Sequence, residues 1–397
     1  MSGAAILTLN AGSSSLKIGL FSPVLDVLAT GLVDRIGGAG SLRLRAGSGA
    51  EIALPEGFEG RFADHGQALE TVLHALAAAF PGVEIGAVGH RVVHGGPDHD
   101  RPVVLNEAIV TALSLLSPFA PLHQPHNLSG IRAAMEAFSG AVQVACFDTA
   151  FHRGHPFVND AFALPRALYA KGVRRYGFHG LSYDYISGAL AETAPRLAEG
   201  RVIVAHLGNG ASMCALKGGR SVASTMGFSA LDGLPMGTRC GQVDPGVLLY
   251  LMDQEGMSAA EISDMLYRRS GLLGLSDLSN DMRTLEASDD PRAAEAIGYF
   301  VFRIQRELGG LSAALQGLDG LVFCGGIGEN SRTIRARVAE GMGWLGLHVD
   351  PERNAANGSV ISPEGAPVTV MVIPTDEERV IARATRALAV QAGRMAT

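Results

Sequence analysis

The chain has 397 residues, of which 47% are hydrophobic and 18% charged, and its formal net charge is −7. It can bury a large core, and its length favours two domains. No Lys/Arg-rich run interleaves with aromatic residues, which argues against a nucleic-acid partner. Residues 1–21 lack the pattern of a signal peptide and no run approaches a membrane span, so we expect a cytoplasmic protein with no membrane partner.

The cysteines are Cys146, Cys214, Cys240 and Cys324. They lie far apart without CxxC spacing, and three of them fall in apolar, strand-like runs. We therefore expect reduced core residues rather than disulfides or metal ligands.

Residues 5–21 are predicted to form a strand, a Gly/Ser/Asn turn and a second strand. Asn10, the turn serines and Lys17 can ligate Mg²⁺ through water or hold a phosphate, although a serine-rich hairpin with a surface lysine is the simpler alternative. Residues 34–62 are expected to form a peripheral meander of hairpins. Residues 65–80 are predicted to be an amphipathic helix that ends at Pro81 and Gly82.

Residues 85–99 are predicted to be a strand and a polar turn that carries His90, Arg91, His94 and His99. The histidines invite a zinc site, but no further Cys/His pair completes one. Arg91 is the better candidate, because a guanidinium at a strand end can hold a carboxylate or phosphate through two hydrogen bonds. After a helix at about residues 107–117, a proline-rich loop carries His123, which either faces a site or caps the next helix.

Residues 141–147 are predicted to form an apolar strand that ends at Asp148. The carboxyl end of a buried strand is where open α/β sheets place their chemistry. Further along, His179 precedes a helix predicted to begin near Ser182. A lone histidine is more often structural than functional, so the sequence around His179 leaves both roles open.

Residues 201–225 are predicted to form three strands. The first turn, residues 206–210, contains two glycines that let the backbone approach a ligand, and its amides and Asn209 supply donors for anionic oxygens. This pattern repeats that of residues 5–21. The repeat predicts a duplicated core with one nucleotide held between the halves.

The last part of the chain adds three candidate segments. An irregular loop at residues 224–246 carries Arg239. Residues 321–330 are predicted to be a strand and a glycine turn before a helix at about Ser331, and their spacing departs from GxGxxG, so a mononucleotide fits better than a dinucleotide. After a strand at residues 368–373, Glu377 and Glu378 begin a terminal helix, where they either serve a site or complement the helix dipole.

Six of these residues each follow an apolar, strand-like run, so a parallel-rich sheet is expected to gather them along one edge: Asn10, Arg91, Asp148, Asn209, Gly326 and Glu377. Phosphate-type turns, two arginines and spare carboxylates, without a Ser-His-Asp or Cys-His pattern, indicate phosphoryl transfer.

Together these motifs resemble the acetate kinase family, of the acetate and sugar kinase, heat-shock chaperone and actin superfamily. The resemblance covers nearly the whole chain: LNAGSSSLK (9–17), GHRVVHGG (89–96), FDTAFH (147–152), YGFHGLS (176–182), HLGNGAS (206–212), GLPMGTRCG (233–241), GGIGEN (325–330) and PTDEE (374–378).

The resemblance implies an α/β protein with two duplicated ribonuclease-H-like, actin-type ATPase domains around a central nucleotide cleft. Residues 1–150 with 376–397 would form the first domain, and residues 151–375 the second, with most of the ATP site. The implied protein is a homodimer that reversibly converts acetate and ATP into acetyl phosphate and ADP with Mg²⁺, for which Mn²⁺ may substitute.

The resemblance also assigns roles. Asn10 and Glu377 would ligate Mg²⁺. Catalytic roles would fall to Asp148 as the acid/base, to Arg91, which binds the carboxylate, to His179 and Arg239, which stabilise the transferred phosphoryl group, and to His123 as an auxiliary. Val93, Leu122 and Phe178 would wall the methyl pocket. The nucleotide would be held by Lys17, His206, Leu207, Gly208, Asn209, Gly210, Asp281, Met282, Arg283, Gly326, Ile327, Gly328, Glu329 and Asn330.

The acid/base role implied for Asp148 is not required by the chemistry of the substrate. A carboxylate is already ionised near neutral pH, so no general base is needed to create the nucleophile. We therefore expect Asp148 mainly to position Mg²⁺ and arginine side chains. Two departures from the family also matter: Asp376 replaces the usual asparagine beside a metal ligand, and Ala230 replaces a proline that some members place on the acyl pocket wall.

Other functions remain open at this point. A propionate or butyrate kinase, or a pyrophosphate-dependent relative, would share most of the motifs, and the smaller Ala230 side chain could admit a longer acyl chain. A non-catalytic ATP switch of the actin and chaperone type is a more distant alternative. It would hydrolyse ATP slowly and bind a peptide, and it would leave Arg91, His179 and Arg239 without a purpose.

Overall fold

The structure is a computed structural model that describes residues 4–12, 15–54, 58, 60–121 and 123–395. The chain divides into two compact units. The first comprises Met1–Phe151 and Asp376–Thr397, and the second comprises His152–Thr375.

The described part of the first unit contains a sheet in the order β4-β3-β2-β1-β5-β7-β6. Strand β1 is antiparallel to β2 and parallel to β5, which is parallel to β7. Strands β3 and β4 continue the sheet, so part of the expected peripheral meander belongs to it instead. The strands are β1 (Ala5–Ala11), β2 (Ser15–Phe21), β3 (Val27–Asp34), β4 (Ser41–Ala46), β5 (Ile85–Val92), β6 (Val103–Val104) and β7 (Val142–Phe147).

Three helices of this unit are α1 (His65–Ala79), α2 (Glu107–Ser114) and α3 (Gln124–Ala137), and a short 3₁₀ turn covers Ser117–Phe119. The side chain of Asp64 caps α1 by accepting a hydrogen bond from the amide of Gln67, and Asn106 caps α2 in the same way. Helix α1 packs its apolar face into the core beneath the sheet, as its amphipathic pattern predicts.

The second unit contains a sheet in the order β10-β9-β8-β11-β12. Strand β8 is antiparallel to β9 and parallel to β11, which is parallel to β12. This arrangement repeats that of β3-β2-β1-β5-β7, which confirms the predicted duplicated α/β fold. The strands are β8 (Arg201–Leu207), β9 (Ala211–Lys217), β10 (Arg220–Ser224), β11 (Gly320–Cys324) and β12 (Thr369–Val372).

The helices of the second unit are α4 (Phe157–Asp160), α5 (Arg166–Ala170), α6 (Gly180–Thr193), α7 (Pro195–Ala198), α8 (Pro245–Asp253), α9 (Ala259–Arg268), α10 (Gly271–Ser276), α11 (Met282–Glu286), α12 (Pro291–Leu315), α13 (Gly325–Asn330), α14 (Arg332–Glu340) and α15 (Pro351–Ala355). Short 3₁₀ turns cover Ala150–His152 and Gly343–Leu345.

The glycine turn predicted after β11 is wrong, because α13 begins directly at Gly325. This residue has a φ of 75°, and a Cβ atom there would lie 2.8 Å from the carbonyl oxygen of Leu207. Glycine therefore allows the chain to bend sharply against β8 before the next residues wind into a helix.

The chain returns to the first unit through α16 (Glu377–Gln391), which packs against β1, β5 and β7. A Cβ atom at Gly89 would lie 2.2 Å from the hydroxyl oxygen of Thr385, so glycine permits the close approach of helix and sheet. None of the helices in the described ranges combines the length and apolar character needed to cross a bilayer.

Candidate functional site

The six strand-end residues do not share one sheet edge, because the duplication produces two sheets. Four of them belong to the first unit and two to the second. Asn10 lies in β1, Arg91 in β5, Asp148 after β7 and Glu377 at the start of α16, whereas Asn209 follows β8 and Gly326 follows β11.

Arg91 and Asp148 form the centre of the first group. The Nε and Nη2 atoms of Arg91 donate to the two carboxylate oxygens of Asp148 at 3.0 and 2.7 Å. The backbone amide of Asp148 donates to the carbonyl of Val92 at 3.0 Å, which fixes the residue against the end of β5. Its side chain is only 1% exposed, and that of Arg91 is 21% exposed. The parallel pairing of β5 and β7 thus creates a side-on, charge-assisted pair.

Asn10 and Glu377 complete this group. Nη1 of Arg91 donates to Oδ1 of Asn10 at 3.2 Å and lies 3.6 Å from a carboxylate oxygen of Glu377. The Nδ2 atom of Asn10 donates to Glu377 at 3.3 Å and to Glu378 at 3.5 Å. Burial acts to lower the pKa of Arg91, but the negative charges of Asp148 and the two glutamates outweigh it and raise that pKa.

Glu378 and Lys17 lie beside the same residues. Burial raises the pKa of Glu378, and the positive charge of Lys17 partly opposes this effect. Lys17 is exposed on β2 and pairs with Asn10 across the β1–β2 hairpin. The hairpin therefore brings one ammonium group near two carboxylates that are far away in sequence.

The donor set of this group suits a hard cation. Within the described residues, no cluster of three or more His, Cys, Asp and Glu side chains is arranged to hold a metal ion. Magnesium does not need such a cage, because it is usually held by one or two carboxylates, water and substrate phosphates. The amide oxygen of Asn10 and the carboxylates of Glu377 and Glu378 fit that requirement.

The remaining predicted residues of the first unit are placed as follows. Val93 is buried, and its amide donates to the side chain of Asn127 at 3.0 Å. His123 is the residue before α3 and makes no side-chain capping hydrogen bond to that helix. Leu122, predicted for the acyl pocket, lies outside the described residues, as do Ser13 and Ser14 of the first turn.

In the second unit, His179 and Arg239 converge on Gly210. A Cβ atom at Gly210 would lie 3.1 Å from Nη2 of Arg239 and 3.3 Å from Nε2 of His179. The other terminal nitrogen of Arg239, Nη1, donates to the carbonyl of Ala230 at 2.9 Å. Glycine at this turn therefore lets the side chains of His179 and Arg239 approach the backbone after β8.

The orientation of His179 is fixed by its surroundings. It has a left-handed backbone conformation, with φ at 57°, at the residue before α6. Its Nδ1 atom is 2.8 Å from the hydroxyl of Ser212, and its ring stacks on His206 with a centroid distance of 4.4 Å. The neighbouring Phe178 is buried, and its carbonyl oxygen lies 3.0 Å from Nε2 of His152.

A cavity of about 670 Å³ opens beside this turn. Eight of the predicted nucleotide-binding residues line it: Gly208, Asn209, Asp281, Met282, Arg283, Gly326, Ile327 and Asn330. The sequence analysis missed three lining residues, namely Asn280, Glu286 and Ser331. They adjoin the predicted segments, and Ser331 carries the sequence signal of a helix N-cap.

The predicted nucleotide-binding residues that do not line the cavity include Leu207, Gly328 and Glu329. Leu207 and Gly328 are buried. Glu329 accepts hydrogen bonds from the amides of Gly325 at 2.9 Å and Thr375 at 3.2 Å. These residues shape the cavity wall from behind.

The chain is similar to known proteins over nearly its whole length. The sequence model of the Acetokinase family matches residues 5–383. An acetate kinase of Methylocella silvestris is 57% identical over an alignment of 395 residues that covers 96% of this chain and 97% of that protein.

Two solved structures are similar to this chain over nearly its whole length. The crystal structure of Porphyromonas gingivalis acetate kinase has a TM-score of 0.86 and 40% identity, and the match covers 97% of this chain and 99% of that one. A propionate kinase of Francisella tularensis has a TM-score of 0.88 and 36% identity, with the same coverage. Since both sheets, the charged group and the full-length similarity agree, the chain belongs to the acetokinase family.

Proposed function

We propose that this protein catalyses reversible phosphoryl transfer from ATP to acetate, giving acetyl phosphate and ADP. As a member of the acetokinase family it is a phosphotransferase that acts on acetate. The observation that carries the residue-level proposal is the group formed by Arg91, Asp148, Asn10 and Glu377, which combines a carboxylate-binding guanidinium with oxygen ligands for a cation.

Arg91 is assigned to the acetate carboxylate. Asp148 and Asn10 engage three of the five N–H bonds of the guanidinium, one each on Nε, Nη2 and Nη1. The other two, one on each terminal nitrogen, make no hydrogen bond to a described residue. The one on Nη2 is available to a second carboxylate, whereas Nη1 also lies 3.6 Å from Glu377. Asp148 fixes the orientation of the fork, which supports a positioning role rather than proton transfer. Val93, Leu122 and Phe178 are assigned to the methyl pocket, and His123 is kept as an auxiliary residue.

The chemical obstacle is charge, since an anionic carboxylate must attack a phosphoryl group surrounded by anionic oxygens. His179 and Arg239 are assigned to neutralise that charge in the transition state. Their convergence on Gly210 supports this role, because a ligand held at the turn would meet both side chains. The cavity lined by Gly208, Asn209 and the α13 residues is assigned to the nucleotide, with Lys17, His206, Leu207, Gly210, Gly328 and Glu329 as contributing residues.

Asn10 and Glu377 are assigned to Mg²⁺, with Glu378 close enough to support them. The ion neutralises charge on the phosphates when bound. We expect Mn²⁺ to substitute, because it favours the same oxygen ligands.

The direct test of this function is to trap the acyl phosphate with hydroxylamine. The purified protein is incubated with MgATP and acetate, propionate or butyrate, and pyrophosphate replaces ATP in a parallel series. We expect the highest kcat/KM with acetate and ATP. Faster reaction with propionate would favour the propionate kinase alternative, and ATP hydrolysis without any hydroxamate would contradict carboxylate phosphorylation.

Exposed apolar side chains on α8 and α12 support a homodimer. The side chains of Val247, Leu249, Tyr250 and Met252 are all at least 43% exposed, and Phe302 on α12 is 56% exposed. Exposed apolar side chains that cluster on a surface mark association sites, and four of these five lie within six consecutive residues. Sedimentation is expected to give twice the 41.3 kDa chain mass, and Leu249→Glu is expected to give the single mass. A monomeric wild-type protein at micromolar concentration would contradict this.

The cellular location proposed is the cytoplasm. None of the four cysteines forms a disulfide in the structure, and three of them are buried. Reduced thiols are typical of a reducing compartment, where ATP is also available.

A further inference from the structure

Arg335 on α14 is a charged residue in an unusual place. Its side chain is fully buried, with 0% of its surface exposed, and it is among the largest buried side chains of the described chain. No carboxylate among the described residues pairs with it, since all of its hydrogen-bond acceptors there are neutral oxygens. Burial lowers the pKa of Arg335, and the charge of Arg332 adds to this effect. Burying a guanidinium without a counter-charge is costly, which points to a structural or functional reason for it.

Every donor of this guanidinium is used. Nη1 donates to the carbonyls of Gly328 and Glu329 at 2.8 and 2.9 Å. Nε donates to the side chain of Asn354 at 2.8 Å, and Nη2 donates to the carbonyl of Asn354 at 3.4 Å and to the side chain of Asn357 at 2.7 Å. These five hydrogen bonds match the five N–H bonds that a guanidinium offers.

The acceptors belong to two separate elements. Gly328 and Glu329 are near the C-terminal end of α13, where a helix has carbonyls without intrahelical partners and where a positive charge is favourable. Asn354 lies in α15 and Asn357 just after it. Arg335 therefore joins the end of α13 to the α15 segment.

The opposite side of α13 faces the nucleotide cavity. Gly326, Ile327 and Asn330 line that cavity, and Ser331, the residue that caps α14, lines it too. Helix α13 has only six residues, so it has little stability of its own and must be held by its neighbours.

We propose that Arg335 is a positioning residue that sets α13 for nucleotide binding without touching the nucleotide. This inference rests on the proposed assignment of the cavity to ATP and ADP. A shift of α13 would move three lining residues together, so nucleotide affinity depends on the Arg335 hydrogen bonds. Acetate affinity does not, because none of the hydrogen-bond partners of Arg335 is a residue assigned to acetate.

The test compares Arg335→Lys with Arg337→Lys. Arg337 is on the same helix and makes no hydrogen bond or ion pair through its side chain with any residue in the described part of the chain, so it is the matched control. Lysine keeps the charge but has three donors and no fork. We expect Arg335→Lys to raise the KM for ATP and the ADP dissociation constant by about tenfold or more, as expected when buried acceptors lose their partners. The KM for acetate is expected to stay within about twofold, and Arg337→Lys to match the wild type.

A second, milder variant keeps the test valid if Arg335→Lys does not fold. Asn357→Gly removes one of the five acceptors, and glycine tolerates the φ of 53° at this position. It is expected to raise the ADP dissociation constant in the same direction but by less. If calorimetry shows unchanged ADP affinity in folded Arg335→Lys and in Asn357→Gly, the inference is overturned, as it is if the KM for acetate rises as much as that for ATP.

The calorimetric titration also separates this inference from the proposed function. ADP binding is measured without acetate, so a wild-type protein that makes no acetyl phosphate would refute only the function. A wild-type protein that does make it, with unchanged ADP affinity in both variants, would refute only the role of Arg335.

Discussion

The side-on pair of Arg91 and Asp148 shows that Asp148 orients the guanidinium. Both oxygens of Asp148 accept hydrogen bonds from one guanidinium. A carboxylate held in this way, 1% exposed and facing a permanent positive charge, is a poor proton acceptor and a good orienting group. Its geometry thus agrees with the chemical argument that an ionised substrate needs no general base.

Asp148→Asn is predicted to lower kcat by about 100-fold or more, because the amide presents an N–H group to the guanidinium and releases Arg91 from its orientation. Steady-state kinetics with hydroxylamine detection measure the change. Asp100→Asn is the control, since it alters an exposed pair with Arg101 and is expected to have no effect. Near-normal turnover and Mg²⁺ dependence in Asp148→Asn would contradict both the positioning and the acid/base role.

Asp376, which we expect to replace an asparagine of the family pattern, has a structural role at the start of α16. Its side chain accepts a hydrogen bond from the amide of Arg379 at 3.0 Å and so caps α16. Asparagine caps helices as well as aspartate does.

Asp376→Asn is therefore predicted to leave the thermal midpoint and the Mg²⁺ dependence of activity unchanged. Asp376→Ala is predicted to cost about 1 kcal/mol of unfolding free energy. Chemical denaturation with a Mg²⁺ titration checks both variants. A large change in the half-saturating Mg²⁺ concentration of Asp376→Asn would mean that the carboxylate acts on the metal and not only as a cap.

Two glycines of α13, Gly326 and Gly328, differ in what surrounds them. A Cβ atom at Gly326 would have no neighbour within 4 Å, because the residue faces the cavity. A Cβ atom at Gly328 would make ordinary contacts at 3.5 to 3.6 Å with β8 and β11.

Gly326→Ala is predicted to raise the KM for ATP by about tenfold through steric exclusion of the ligand, without lowering thermal stability, since alanine favours helix. Gly328→Ala is predicted to change the KM for ATP by less than about twofold, because its methyl group points away from the cavity. Steady-state kinetics and thermal denaturation of both variants test this pair. Equal effects of the two substitutions would show that the cavity does not hold the nucleotide.

The hairpins and most helices were predictable because turn glycines, N-caps and apolar periodicity act over a few residues. The glycine-rich stretch before Asn330 misled the prediction, because glycine is a poor helix former and only the packing of α13 against β8 and α14 makes it helical. Asn280 and Glu286 were missed for a related reason. Tertiary packing, rather than any local pattern, turns them towards the cavity.

At the scale of the whole molecule, both units bury neutral histidines. Burial lowers the pKa of His90 from 6.5 to about 4, partly opposed by its hydrogen bond to Gln143. Burial also lowers the pKa of His152 from 6.5 to about 3. Each folded-state pKa lies below the unfolded value, so the unfolded chain binds more protons below pH 6.5. The unfolding free energy linked to these histidines is therefore fully present above pH 6.5 and decreases as the pH drops towards 4.

Each histidine is predicted to reduce the free energy of unfolding by about 2 kcal/mol between pH 7 and pH 5. Urea denaturation of the wild type and of His90→Gln at the two pH values tests this. Glutamine does not titrate, so the stability difference between wild type and variant is expected to shift by about 2 kcal/mol in favour of the variant at pH 5. Parallel pH profiles would show that folding leaves the pKa of His90 unchanged, which would contradict the prediction.

The return of α16 to the first unit has a consequence for synthesis on the ribosome. Asn10 and Glu377 share a hydrogen bond although 367 residues separate them. The nascent chain therefore exposes the α16-binding face of β1, β5 and β7 until residues Glu377–Gln391 have been synthesised. A polypeptide that ends just before Glu377 would contain the entire second unit and the first sheet, yet would lack both the helix that covers that sheet and one of the two assigned magnesium ligands.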